Sequence, residues 1–376
     1  MYPALAIARA AISDLGLELP ASMTGSTAPL SLRQSPVLWL GGRDGLEADL
    51  VSRAGLPFRA IRGAGVHGVG WRLPLNALSL LRGVAEAIGL VRAYQPDVLL
   101  VTGGFITAPA SLAAWLLRVP VLVYLPDIEP GLAVKLIARL ARRIAVTVED
   151  SRRFFAGRAS RVVVSGYPVR PELVEAAAAT AREAALAHFG LEAGRPVVLV
   201  TGGSRGARSI NRAVLAALPD WLKDYQVIHL TGQLDWEEVE QARAALPAEQ
   251  QARYHAFPFL HEMGLALAAA DLAVSRAGAS ALGEYPLFGL PALLVPYPYA
   301  WRYQQVNADY LAQRGAALRL NDEDLPARLA GAVRGLLGDP DRLAAMRAAA
   351  KSAARPGAAS RIAAELAQLA GVADRS

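Results

Sequence analysis

Val98-Leu-Leu-Val-Thr-Gly-Gly104 and Val197-Val-Leu-Val-Thr-Gly-Gly203 decide how this chain folds. Each is an apolar run closed by a Gly-Gly turn, and each runs into a helical stretch, near 109–117 and near 207–218. Similar apolar runs fall at 37–40, 119–124, 144–147 and 162–165, then at 226–230, 272–275 and 292–296, with Ala/Leu-rich stretches between them. Uninterrupted apolar runs are the mark of parallel strands buried on both faces, and their alternation with helices implies a doubly wound α/β sheet. The repeat of the strand, Gly-Gly turn and helix in a chain of 376 residues suits two Rossmann-like domains facing across a cleft, or simply the several such turns that any α/β protein contains. The expected division is 1–165, 166–342 and a helical segment 343–376 that packs back on the first domain.

Composition narrows the class. Apolar residues make up 53% and charged residues 19%, which excludes a disordered chain. Cysteine is absent, so disulfides, thiolate metal sites and thiol nucleophiles are excluded. Residues 1–165 hold 18 Lys/Arg against 11 Asp/Glu, whereas 166–376 hold 21 against 22. A basic first half suits an anionic surface or substrate. No uncharged apolar run reaches the roughly 18 residues needed to span a bilayer, and the N-terminus lacks signal-peptide order.

Several residues can carry chemistry. Gly202-Gly-Ser-Arg-Gly-Ala207 follows a strand and opens a helix, an arrangement whose backbone N–H groups suit a phosphate, with Ser204 as a further donor. A tight turn without a ligand explains the same pattern. Arg170, in Gly166-Tyr-Pro-Val-Arg170, can pair with a diphosphate or simply face solvent. Glu284, at the end of Ser275-Arg-Ala-Gly-Ala-Ser-Ala-Leu-Gly-Glu284, can accept from both ribose hydroxyls or complement a helix dipole. Gln304 and Asn307 follow an aromatic run and carry amides suited to sugar hydroxyls. Asp322-Glu-Asp324 resembles a metal-holding pair but is expected to cap a helix starting near Leu325. The five histidines, at 67, 188, 229, 255 and 261, show no metal spacing. No G-x-S-x-G elbow occurs, and the basic residues do not interleave with aromatics as in a nucleic-acid binder. An amphipathic helix is expected over 131–143, presenting Lys135, Arg139, Arg142 and Arg143 either to an anionic bilayer or to solvent.

Together these blocks resemble the MurG-type peptidoglycan N-acetylglucosaminyltransferases of glycosyltransferase family 28. The resemblance runs from Tyr2 to about Ala317. It is carried by Tyr2-Pro-Ala-Leu-Ala, Glu47-Ala-Asp-Leu-Val, Pro96-Asp-Val through Gly103-Gly-Phe, Ala113-Ala-Trp and Gly166-Tyr-Pro-Val-Arg. Gly202-Gly-Ser-Arg-Gly-Ala-Arg, Arg276-Ala-Gly-Ala, Gly289-Leu-Pro-Ala and 304–308 complete the series. It implies a GT-B fold and inverting transfer of N-acetylglucosamine from UDP-N-acetylglucosamine to a muramyl-pentapeptide on a polyprenyl diphosphate, converting lipid I to lipid II. No metal or other cofactor is implied. The enzyme would work peripherally at the cytoplasmic face of the membrane, with cell-wall synthesis proteins as its partners. The resemblance places Arg170 and Ser204 at the diphosphate and Leu260 near the uracil. Phe259 and Met263 would shape the donor pocket. Glu284 would hold the ribose, with Ala279 and Ser280 lining its turn, while Gln304 and Asn307 would read the sugar. Gly103 and Gly104 form the corresponding acceptor-side turn.

Two departures fall in the acceptor half. The resemblance implies a strand and a Gly-Gly-x-Gly-Gly-His loop directly ahead of Tyr2-Pro-Ala, and neither precedes Tyr2 here. A first domain without that strand, loop and acid/base His is therefore expected, from a truncated or misplaced start. Tyr124-Leu-Pro-Asp127 stands where such proteins carry His-Glu-Gln-Asn. Asp127, Glu129 and His67 are left as candidate acids or bases. A related glycolipid transferase with another acceptor, a non-catalytic UDP-sugar-binding protein and a UDP-sugar epimerase remain as rival functions.

Overall fold

The computed structural model describes residues 1–19, 35–42, 47–62, 73–104, 106–203, 206–300 and 302–371. The chain divides into two compact units, 1–170 with 357–376, and 171–356. The division falls five residues beyond the expected boundary, and the expected third segment is shared between the units.

The first unit begins with α1 (Tyr2–Asp14), β1 (Trp39–Gly41), α2 (Glu47–Arg53), β2 (Phe58–Ala60), α3 (Leu73–Tyr94) and β3 (Leu99–Val101). It continues through α4 (Thr107–Leu116), β4 (Val121–Leu125), α5 (Leu132–Ile137), β5 (Arg143–Val146) and β6 (Val162–Val164). Among the described residues its strands form two parallel sheets, β1-β2 and β3-β4-β5-β6. Side chains alternate across β4. Val121, Val123 and Leu125 meet Ala114 of α4 and Val134 and Ile137 of α5. Leu122 and Tyr124 meet Ile7 of α1 and, on the C-terminal segment, Ile362 and Leu366. Both faces are covered, which is why this strand reads as one apolar run.

The second unit holds α6 (Pro171–Ala179), α7 (Arg182–Phe189), β7 (Val197–Thr201), α8 (Arg208–Asp224), β8 (Gln226–Leu230), α9 (Trp236–Ala244), α10 (Ala248–Gln251) and β9 (Tyr254–Phe257). It continues with α11 (Met263–Ala269), β10 (Leu272–Ser275), α12 (Glu284–Phe288), β11 (Ala292–Leu294), α13 (Tyr303–Gln313), β12 (Ala317–Arg319), α14 (Leu325–Leu337) and α15 (Pro340–Ala353). Helix α16 (Ala358–Leu369) returns to the first unit, where Arg361 donates to the Ser165 carbonyl and Glu365 pairs with Arg143. All strand pairs of the second sheet are parallel, in the order β12-β11-β10-β7-β8-β9. Val198, Val200, Val227 and Val274 pack with Ile210, Val214, Leu218 and Trp221 of α8 and Leu329 and Val333 of α14. Successive strands go to one side of β7 and then to the other, so the order reverses between β7 and β10. The crevice outside the carboxyl ends of those two strands is where such a sheet takes a ligand.

Two expectations need correction. The basic helix expected over 131–143 ends at Ile137, because the Arg142 N–H already donates to Val121 and Arg143 starts β5. Arg143 is also committed to Glu365, at 3.0 Å. Helix α14 does start at Leu325 with Asp324 in the N-cap position, but no side chain caps it, and Asp322 instead accepts from Arg276 at 2.5 Å and Ser209 at 2.7 Å. Glu284 lies at a helix entry: a 3-10 turn over Ala279–Leu282 comes first, and Glu284 then begins α12.

Candidate functional site

The turn after β7 is built for close backbone approach. Gly203 and Gly206 have φ of 81° and 74°, the left-handed region that glycine adopts without strain. A Cβ on Gly202 would strike the Ala207 nitrogen, and one on Gly206 would strike the Thr231 carbonyl oxygen. Gly202 therefore packs closely on Gly206 and Ala207, and Gly206 on the residues just past β8. It leads into α8, whose first turn has no side-chain cap. Uncapped N–H groups and a positive helix end suit an anion, an effect of up to ~2 kcal/mol for a well-placed negative group. Ser204 lies outside the described residues.

The other donor candidates of the second unit follow neighbouring strands at the same sheet edge. After β9, Phe259 is 54% exposed and stacks edge-on with His261, at 4.9 Å between centroids. Leu260 is buried beside it, and Met263 opens α11, half-buried. After β10, Ala279 and Ser280 lie half-buried in the 3-10 turn, followed by Glu284. Behind Glu284, burial pushes the Tyr285 phenol well above its ordinary range, so it stays neutral. After β11, Gln304 accepts from the Tyr297 N–H at 2.9 Å. Asn307 differs from the expectation for a sugar reader. It is fully buried and donates to the Ala277 carbonyl at 3.1 Å, bracing the 276–280 turn from behind.

Sequence reasoning did not single out Arg276 and Asp322 as a clamp. Arg276 donates to Asp322, to Ser209 at 2.8 Å and to the Val295 carbonyl at 3.3 Å, and lies over Tyr297. It thereby ties the ends of β10, β11 and β12 to the first turn of α8. One signal was available: an Arg directly after a buried strand needs a partner in the next turns.

In the first unit, Gly103 and Gly104 have φ of 99° and 101°, and the Gly104 carbonyl accepts from the Thr107 hydroxyl at 2.6 Å. Tyr124 is fully buried, with its hydroxyl 2.9 Å from that of Thr147; burial raises its pKa far above the usual phenol range. It is thus a core residue and not an acid or base. Asp127 and Glu129 are half-buried just beyond β4, and His67 lies outside the described residues. The Arg170 guanidinium lies 4.8 Å from the Tyr2 ring centre, and its Nε is buried without a hydrogen-bond partner among the described residues. Lys135 and Arg139 are exposed, as are Leu132 and Leu136. Among the described residues no helix is long and apolar enough to cross a membrane, and no cluster of three His, Asp or Glu could hold a metal ion.

Two family models match this chain. The glycosyltransferase family 28 N-terminal domain covers residues 27–146, and the family 28 C-terminal domain covers 197–362. The chain belongs to glycosyltransferase family 28. Among its family 28 relatives, the UDP-N-acetylglucosamine--N-acetylmuramyl-(pentapeptide) pyrophosphoryl-undecaprenol N-acetylglucosamine transferase of Roseiflexus sp. (strain RS-1) is 41% identical, over 96% of this chain and 91% of its own. The proteins of the same name from Moorella thermoacetica and Desulforamulus reducens are 38% and 36% identical, over 95% and 96% of this chain and 92% and 93% of their own. The crystal structure of Acinetobacter baumannii MurG superposes with a TM-score of 0.72 at 23% identity, covering 98% of this chain and 95% of that one. A UDP-GlcNAc 2-epimerase from Neisseria meningitidis, bound to UDP-GlcNAc, gives 0.63 at 15%, covering 97% of each chain. These structural likenesses establish the GT-B fold class, with two parallel-sheet α/β domains, in this family 28 chain.

Proposed function

We propose that this chain transfers N-acetylglucosamine from UDP-N-acetylglucosamine to a muramyl-pentapeptide carried on a polyprenyl diphosphate. The observation that carries the reading is the glycine turn around Gly203 and Gly206 leading into the uncapped start of α8, at the strand-order reversal of a sheet whose neighbouring strands are followed by Phe259, Leu260 and Met263 and by Glu284. The names of the 36–41% identical relatives supply substrate and acceptor. An acceptor hydroxyl attacks the anomeric carbon from the face opposite the diphosphate. The bond from that carbon to the phosphate oxygen breaks, inverting the centre, and the hydroxyl proton passes to a base, for which Asp127 and Glu129 are the candidates. Turn N–H groups, the start of α8 and Arg170 stabilise the departing UDP, so the reaction needs no metal. Leu260 with Phe259 and Met263 would house the uracil, Glu284 the ribose and Gln304 the sugar. Asn307 acts behind the turn.

The protein is further proposed to dock at an anionic membrane surface on the cytoplasmic side. Trp115 and Leu116 on α4 and Leu132 and Leu136 on α5 are each more than half exposed, with Lys135 and Arg139 beside them. Such a pairing of apolar and basic side chains suits an interfacial contact. Replacing Lys135, Arg139 and Arg142 with Glu should weaken liposome binding.

One observation favours a second reading, a related acceptor: the buried Tyr124 and the apolar Leu125 and Pro126 offer no polar side chains where the relatives' pattern was expected to. The test is transfer of labelled N-acetylglucosamine to a lipid I analogue in competition with other lipid-linked sugars. Label in the lipid I product supports the proposal; label only in another glycolipid supports the second reading.

A further inference from the structure

A chain of buried hydrogen bonds lies behind the turn at 202–207. Asn211, one turn into α8, is 1% exposed, and both hydrogens of its amide are committed. One goes to the Thr231 carbonyl at 2.9 Å and the other to Asp235 Oδ2 at 2.8 Å. Its oxygen lies 3.0 Å from His229 Nε2, and His229 Nδ1 lies 2.8 Å from the Tyr254 hydroxyl. Since the Asn211 oxygen can only accept, Nε2 carries the proton and Nδ1 accepts from Tyr254. Asp235 Oδ1 accepts from Arg208 Nε at 2.7 Å. Every link is therefore directional and filled.

The end of this chain is the Thr231 carbonyl, the atom against which Gly206 packs with no room for a Cβ. The position of that carbonyl sets how far Gly206, and with it the start of α8, sits from the crevice. We propose that Asn211, with Asp235 and His229 holding its amide, is a positioning residue that fixes Gly206 and the start of α8 at the height where the N–H groups there meet the donor's diphosphate. The inference rests on the reading of this turn as the donor-phosphate site. A displacement of about 1 Å is enough to cost the order of a hundredfold at a preorganised site.

The test compares affinities for UDP and for uridine, which lacks the diphosphate, using the full chain. Asn211→Asp keeps the shape but turns both donors into acceptors facing Thr231 and Asp235. His229→Phe keeps a ring and drops both hydrogen bonds, whereas His229→Gln can keep both. Val214→Ala thins the same helix's core without touching the relay. Expected are at least tenfold weaker UDP binding for Asn211→Asp and His229→Phe, with uridine affinity changed less than threefold. His229→Gln and Val214→Ala should stay within threefold for UDP, the latter despite a lowered melting temperature. UDP affinity within threefold of wild type in His229→Phe, equal losses for uridine and UDP, or a Val214→Ala loss matching His229→Phe would overturn the relay. Should Asn211→Asp not fold, the His229 pair decides alone. Wild-type protein that binds no UDP would instead overturn the donor reading on which the inference stands.

Discussion

His229 should make the second unit acid-sensitive by a calculable amount. The ring is fully buried, and burial lowers its pKa from 6.5 to about 3. In the unfolded chain it takes up a proton below pH 6.5, while the folded chain excludes that proton until about pH 3. The unfolded state therefore binds more protons throughout that window. Stability is intact above pH 6.5 and falls as the pH drops toward 3. At pH 5 the gap is about 1.5 pH units at ~1.36 kcal/mol each, or roughly 2 kcal/mol. With a typical urea slope this shifts the unfolding midpoint by on the order of 1 M. The assay is urea unfolding at pH 8 and pH 5, for wild type and for His229→Gln, which fills the same hydrogen bonds without titrating. Other groups titrate in both proteins and cancel in the difference. Wild type should lose about 2 kcal/mol more than the variant between the two pH values. Equal losses would refute the assignment of a neutral, buried His229.

Other outcomes follow from the same geometry. Gly206→Ala, which puts a methyl against the Thr231 carbonyl at a φ of 74°, should weaken UDP binding at least tenfold in calorimetry. Gly331→Ala, with open space around a helical glycine, should leave binding unchanged and add about 0.5–1 kcal/mol of stability. Asp271 accepts from Arg182 at 2.5 Å, from Arg347 and from the Val197 N–H at 2.9 Å, so Asp271→Ala should cost about 3 kcal/mol in thermal unfolding. Trp115→Glu with Leu136→Glu should reduce binding to anionic vesicles at least tenfold while UDP affinity is unchanged, as measured by co-sedimentation and calorimetry.

Legibility in the sequence followed burial. Strands β7, β8 and β10 lie inside the sheet, buried on both faces, and their mainly apolar sequences mark their ends to the residue. The three strands that were not foreseen, β2, β9 and β12, are all sheet edges. Tyr254–Phe257 alternates buried and half-buried side chains, and the three-residue strands Phe58–Ala60 and Ala317–Arg319 each contain an Arg, so none forms an apolar run. The basic stripe at 131–143 misled for a related reason: its period crosses a helix, a turn and the start of a strand, which no local pattern separates. At the site, glycines were readable because φ and close approach demand them. Asn211 and Asp322 were not, because their partners lie 20 and 46 residues away, at Thr231 and Arg276. A polar Asn on the stripe of Ile210, Val214 and Leu218 was nevertheless a local sign of a buried, satisfied amide.

The central claim is acceptor-dependent sugar transfer, and proton NMR of the reaction of UDP-N-acetylglucosamine with a lipid I analogue tests it most directly. The expected result is UDP released in step with a new β-linked N-acetylglucosamine on the acceptor, with neither formed when the acceptor is left out and both unaffected by EDTA. A new sugar nucleotide formed without acceptor, or donor bound but never consumed when the lipid I analogue is present, would contradict the account.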